Sequence, residues 1–214
     1  MSAGARYPVP AARHRSEITI DRSRFLCTIA PAPNSASAQQ FVREMNAEFP
    51  DASHNCWAYV AGAPGSTGQI GLSDDGEPHG TAGRPMLTVL LHSGIGDIAA
   101  VVTRWFGGTK LGTGGLVKAY SLAVQQTLLD LPRSERVELL RCTVQVTYAD
   151  IASMQHLWAQ HEIEVLSERY ETDVHYTLSL PKENYLSFEV AVRNATRGQA
   201  VIETEQESRE THDS

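Results

Sequence analysis

Thirty-two consecutive residues, Ile98 to Leu129, contain no aspartate or glutamate, in a chain of 214 residues whose formal net charge is −7. Cysteine is scarce as well. Cys27, Cys56 and Cys142 are odd in number, widely spaced and set in apolar patterns, which excludes a disulfide framework or a thiolate zinc cluster and fits reduced interior thiols. The longest apolar runs, such as MLTVLL and IAAVV, fall far short of the ~20 residues that span a bilayer. The N-terminal MSAGARYPVPAARHR lacks the apolar core of a secretory signal. A soluble, cytoplasmic chain with no membrane partner is expected. The hydrophobic content of 42% is enough for a proper core.

The negative charge is unevenly placed. Residues 1–129 carry ten Lys and Arg against nine Asp and Glu, whereas residues 203–214 carry one against five. A polyanionic partner would therefore meet the first half of the chain, and there locally. The terminal ETEQESRETHDS has no apolar periodicity and reads as an acidic disordered tail, residues 204–214.

The polar, proline-containing break DLPRSER, Asp130 to Arg136, separates a long helical pattern from a strongly alternating one. It marks a two-domain α+β chain: an arm (1–14), a first domain (15–131), a linker (132–136), a second domain (137–203) and the tail. In the first domain the patterns predict strands within Ser16–Ile29, a helix near Ser37–Phe49, a strand at His54–Ala61, a helix near Ala82–His92, a strand at Asp97–Arg104 and a helix near Gly114–Leu129. In the second, Leu140, Cys142, Val144 and Val146 alternate as a strand, and Ile151, Met154 and Trp158 follow at helical spacing. Ile163 and Val165, then Val174–Leu180, read as two more strands, and Tyr185, Phe188 and Val192 as a second helix that ends at Gly198. With Val201–Ile202 closing, the order is βαββαβ, a ferredoxin-like arrangement.

The stretch RWFGGTKLGTGGLVKAY, Arg104 to Tyr120, holds five glycines and three cations. GTGG at 112–115 echoes GTAG at 80–83, and each precedes a helical pattern with Thr81 or Thr113 as a natural N-cap. Glycine in a helix costs about 1 kcal/mol relative to alanine, so Gly114 and Gly115 require that something approach the backbone closely. Lys118 lies near the positive end of the helix macrodipole, an unfavourable place unless an anion sits between them. The anion-binding candidates are therefore Arg104, Lys110, Thr113, Gly114, Gly115 and Lys118, with Thr81 and Gly83 at the echo. The alternative is that the glycines only allow tight packing and the lysines are solvated.

Arg104 shares a strand face with the apolar residues Ile98, Ala100, Val102 and Phe106, so its guanidinium needs a buried partner. The acidic loop LSDDGEPHG offers Asp74, Asp75, Glu77 and His79, either as an internal ion-pair network or as the opposite wall of a site able to hold Mg²⁺ or move protons. His54 and Cys56 share a strand face, but no group is placed to orient them as a nucleophile pair. Trp105 and Phe106 are candidates for stacking on bases or for packing in the core.

HNCWAYVAG, LSDDGEPHGTAGRPML and DIAAVVTRWFGGTKLGTGGLVKAY, in this order and spacing, resemble the YigZ/Impact family over about residues 15–130. The remainder resembles the C-terminal domain usual in bacterial members. The resemblance implies a first domain similar to one found in a small-subunit ribosomal protein and in translocating elongation factors, and a second similar to the fifth domain of elongation factor G. It implies a link to translation, with RNA, the ribosome or a translation-control protein as partner. Eukaryotic Impact proteins regulate a starvation-sensing kinase by competing for its activator, but they carry an additional N-terminal domain with no counterpart in these residues, so that partner is not carried over. The family supplies no catalytic residues. The expectation is a translation-associated binding or regulatory protein with no cofactor, no metal and no catalytic residue; the alternatives are an enzyme acting on a phosphorylated small molecule, both helix N-termini gripping the phosphate, and a purely protein-binding regulator.

Overall fold

A computed structural model describes residues 6–204. The chain divides into two compact units, with the division between Arg136 and Val137. The first contains β1 (Arg6–Pro10), β2 (His14–Ile20), β3 (Ser23–Pro31), α1 (Ser35–Glu48), β4 (His54–Ala61), β5 (Gln69–Ser73), α2 (Gly83–His92), β6 (Ile98–Trp105), α3 (Gly112–Leu129) and β7 (Arg133–Val137). Its main sheet is antiparallel in the order β2-β3-β6-β4-β5.

This sheet is covered on both faces, which is why β6 reads as an unbroken apolar run. Successive side chains of a strand point to opposite faces. Ala99 and Val101 join Ala30, Tyr59 and the α1 residues Phe41 and Met45 on one side. Ala100 and Val102 join Phe25, Cys27, Cys56 and the residues Met86 and Leu90 of α2 and Tyr120 and Val124 of α3 on the other. Side chains such as Phe25, Ile29 and Met86 are fully buried, each worth roughly 1.5–3 kcal/mol by transfer from water. Arg104 ends the second of these rows, opposite Phe25 on β3 and His54 on β4.

The second unit runs β8 (Leu139–Val146), α4 (Ile151–Gln160), β9 (Glu164–Tyr170), β10 (Val174–Pro181), α5 (Tyr185–Ala195) and β11 (Val201–Thr204). Its sheet is antiparallel in the order β11-β8-β10-β9, the ferredoxin-like arrangement expected from the alternation. Cys142, Val144, Val174, Tyr176 and Leu178 of the sheet bury against Met154, Leu157, Phe188 and Val192 of the helices. Gly198 has φ +79° and its N–H donates to the Arg193 carbonyl at 2.8 Å, the helix stop that its position predicts.

Three strands lie where none is expected. Residues 6–10 of the supposed arm pair with residues 133–137 of the supposed linker as a two-stranded ribbon, β1 with β7. β5 lies within the polar, glycine-rich stretch after β4, as an edge strand. Of the acidic tail, Thr204 ends β11 and the rest lies outside the described residues. No helix among the described residues is long and apolar enough to cross a membrane.

The ribbon is tied to the sheet through Asp97, which is buried and has φ +48°. Its Oδ1 accepts from the Gly62 N–H at 2.8 Å. Its Oδ2 accepts from the Tyr7 hydroxyl of β1 at 3.2 Å and pairs with Arg136 of β7 at 2.9 Å. Deleting it removes an acceptor that three donors share. Asp97→Ala should cost about 2–4 kcal/mol in denaturant unfolding, and Asp97→Asn, which keeps one oxygen and tolerates a left-handed backbone, should cost clearly less.

Candidate functional site

The acidic loop between β5 and α2 turns inward. Asp74 Oδ1 accepts from the N–H groups of Ala82 (3.0 Å) and Gly83 (2.8 Å), and Oδ2 from that of Gly80 (2.8 Å). Burial opposes its charge, but these three donors and the nearby His79 outweigh it and hold its carboxyl below the usual carboxylate range. The N-terminus of α2 is thereby capped by a carboxylate from eight residues upstream. Asp75 accepts from the Asn55 N–H at 2.6 Å, and His79 is fully exposed, 3.8 Å from Asp74.

Glu77 is buried at the centre. Its Oε1 receives Arg104 Nη1 at 2.5 Å and the Tyr120 hydroxyl at 2.8 Å. Arg104 is 5% exposed; its Nη2 lies 3.4 Å from Ser23 Oγ, and its Nε meets no acceptor among the described residues. The guanidinium lies over the rings of Phe25 and Phe106, at 5.4 and 5.6 Å. The Cys56 thiol donates to the Asp74 carbonyl at 2.9 Å and sits 3.3 Å from the Tyr120 oxygen. Burial pushes the Cys56 thiol far above its ordinary range, and burial together with the thiol and Glu77 does the same to Tyr120. Both groups stay protonated, and Cys56 is no nucleophile. His54 Nδ1 is bonded to the Asp75 carbonyl at 2.7 Å, so the ring is not paired with that thiol.

The loop between β6 and α3 is different. Helix α3 begins at Gly112, two residues earlier than expected, with Leu111 as N-cap and no side-chain capping bond. Thr113 therefore lies inside the first turn and is not the cap. A Cβ at Gly114 would meet nothing within 4 Å. One at Gly115 would come within 3.0 Å of Leu111 Cβ, and Gly112 has φ +69°. Lys110 and Lys118 are exposed and have no carboxylate partner among the described residues. Beside them lies Arg22, whose Nη2 donates to Thr109 Oγ1 at 2.7 Å and which likewise meets no carboxylate among the described residues. Gly107 presses on the backbone of Arg22, leaving no room for a Cβ.

The structure thus separates the expected residues into two groups. Arg104 is sealed beneath the surface and neutralised by Glu77, so it does not meet an outside anion. Thr81 is not a cap either: Ala82 is the N-cap of α2, and Thr81 Oγ1 donates to the Pro78 carbonyl at 2.6 Å. Gly83 is a packing residue, since a Cβ there would come within 2.9 Å of the Ser73 backbone. Of the acidic candidates, Asp74, Asp75 and Glu77 are engaged internally. Among the described residues no three His, Cys, Asp or Glu side chains cluster as a metal site. Lys110, Thr113, Gly114, Gly115 and Lys118 remain together at an open helix N-terminus. Arg22 carries no signal in the sequence, since it reaches this loop only because the Asp21–Arg22 turn folds back on it. Nothing in the sequence singles out the Tyr120 hydroxyl, whose partner Glu77 reaches it only because the acidic loop folds inward.

A model of the Impact N-terminal domain matches residues 21–128, and one of a domain of unknown function, DUF1949, matches residues 144–199. The chain is 40% identical over 190 residues to the IMPACT family member YigZ of Escherichia coli strain K12, covering 89% of this chain and 93% of that protein. It is 37% identical over 199 residues to an IMPACT family member of Haemophilus influenzae, covering 93% and 97%. The chain belongs to the Impact family. A solved structure described as that of a hypothetical protein shares 39% identity with this Impact-family chain at a TM-score of 0.67, over 94% of this chain and 98% of that one.

Three substitutions test the internal half of the site. Arg104→Met strands a buried carboxylate and should cost ~3–5 kcal/mol, with much of the loss recovered when Glu77→Leu is added; both are read by chemical denaturation. Asp74→Asn turns an amide toward the α2 N–H donors and should cost about 1–3 kcal/mol at neutral pH. Because the folded carboxyl is depressed, its contribution is complete above the unfolded value of about 4 and is lost as pH falls through the folded one. The stability gap between wild type and variant should therefore be flat near neutrality and close in acid.

Proposed function

We propose that this Impact-family protein is a translation-associated binding protein whose loop from Phe106 to Lys118 takes the phosphate backbone of RNA. The family is associated with translation regulation. The observation that carries the reading is Gly114. It fills no packing requirement, since a side chain there would meet nothing, yet it lies in the first turn of an uncapped helix whose cations lack partners among the described residues. Backbone N–H groups free at a helix start, where three of the first four residues are glycine, and flanked by Lys110, Lys118 and Arg22, suit an anion with several oxygens. The alternative of an enzyme that grips phosphate with both helix N-termini loses one of its two grips, because Asp74 already occupies that of α2.

Lys110→Ala and Lys118→Ala should each weaken RNA binding similarly across sequences and lower the salt slope by up to about one, with little change in melting temperature. Gly114→Ala separates binding from folding. It should stabilise α3 by up to about 1 kcal/mol while weakening RNA binding, because a methyl group stands where a phosphate approaches. Salt-titrated fluorescence polarisation and thermal melts of the three variants decide the matter. Unchanged affinity and salt slope in all three would leave the loop without this role.

A further inference from the structure

Phe106 is the residue that the phosphate reading leaves unused. It is 50% exposed, and it is the first residue after β6, four before Lys110 and six before the start of α3. The sequence places two aromatics here, and the structure gives them different surroundings. Trp105 is engaged: its Nε1 donates to Asp51 at 3.0 Å, its ring meets Phe49 edge-on at 5.6 Å, and Arg24 lies 4.0 Å from its centroid. Phe106 has its N–H fixed by Ser53 Oγ at 3.1 Å and the buried Arg104 guanidinium over its ring. That cation is enclosed by protein, so the side of the ring it covers is the inner one, while half of the residue is open to solvent.

We infer that Phe106 is a stacking platform for an unpaired nucleobase, so that the ligand of this loop is a single-stranded polynucleotide. This inference rests on the phosphate-binding reading above and deepens it. A ring whose main chain is fixed by a hydrogen bond and whose inner side rests on a buried cation presents a flat apolar surface at little entropic cost. Bases stack on such surfaces with little regard to sequence. Arg22 and Lys110, on the same loop and the turn packed against it, supply the positive charge that backbone phosphates on either side of a stacked base require. A duplex has its bases stacked on one another and offers none to Phe106; a free phosphate or an acidic protein surface has no use for the ring.

The test is binding of the full chain to a labelled ten-nucleotide oligo(U), the same length of oligo(dT), and a ten-base-pair RNA duplex, for the wild type, Phe106→Leu, Phe106→Trp and Lys110→Ala. Phe106→Leu should weaken single-strand binding about tenfold at an unchanged salt slope, Phe106→Trp should retain it, and Lys110→Ala should reduce the slope. Duplex binding should be weaker and indifferent to the ring. Comparable affinity for oligo(U) and oligo(dT) would support stacking that ignores the sugar, and a preference for oligo(U) would support RNA as the source of the base. If Phe106→Leu binds both single strands as tightly as the wild type while Lys110→Ala does not, the platform is overturned and phosphate binding stands. If the wild type binds neither strand, or prefers the duplex, the inference is overturned, and in the first case the phosphate reading falls with it.

Discussion

The buried carboxylate of Glu77 is the constraint on which the rest of the first unit depends. A charge at that depth is tolerable only with a cation and further donors in place. Arg104 from the central strand and Tyr120 from the last helix supply them. The loop carrying Glu77 must therefore lie across the end of the sheet. With it comes Asp74, three residues earlier, which reaches the N-terminus of α2. One short acidic loop thus neutralises both a buried cation and a helix dipole. Its carboxylates are used up in doing so, which leaves α3, the neighbouring helix start, without an internal anion.

That distribution explains why two similar sequences, GTAG and GTGG, end in different situations. The glycine at 83 is there for space, since the Ser73 backbone passes where a Cβ would be. The glycine at 114 faces open surroundings. In the echo Gly83 answers to Gly115, where a Cβ would crowd Leu111, and Gly114 answers to Ala82, so the open glycine is the one that the first run lacks.

The ferredoxin-like unit was legible almost throughout, because its inner strands β8 and β10 alternate between a buried and a more open face and its helices keep a regular apolar stripe. The strands of the main sheet from β2 to β6, except β5, were legible for a different reason: β3, β4 and β6 are apolar runs bounded by turn residues, as strands covered on both faces should be. β1, β5 and β7 were not. RYPVP carries two prolines, RSERV is nearly all polar, and QIGLS is broken by a glycine; all three are short and lie at an edge or in a ribbon. What fixes β1 on β7 is a pairing across more than a hundred residues, for which local periodicity holds no signal. In the site, the burial of Arg104 and its need for a carboxylate followed from strand alternation alone. The capping of α2 by Asp74 did not, since a side chain that reaches back along an irregular loop leaves no spacing rule to read.

The loop between β6 and α3 concentrates features that a domain selected only for stability would remove. The Asp21–Arg22 turn has both residues at positive φ, +46° and +67°, a hairpin geometry that usually takes glycine or asparagine. Arginine there costs about 1 kcal/mol. Gly114 costs a similar amount without any packing return, and the start of α3 forgoes a capping side chain worth about 1 kcal/mol. Against a net stability of roughly 5–15 kcal/mol for a domain, such a sum in one place is appreciable. It is not strain imposed by the core, because the core beneath is complete and Glu77 is satisfied. The Arg22 guanidinium, the open N–H groups and the exposed ring of Phe106 gain nothing from one another beyond the contact with Thr109. The shared property of these costs is that each turns a positive or flat, unobstructed surface outward, which is the surface that the proposed RNA partner would use.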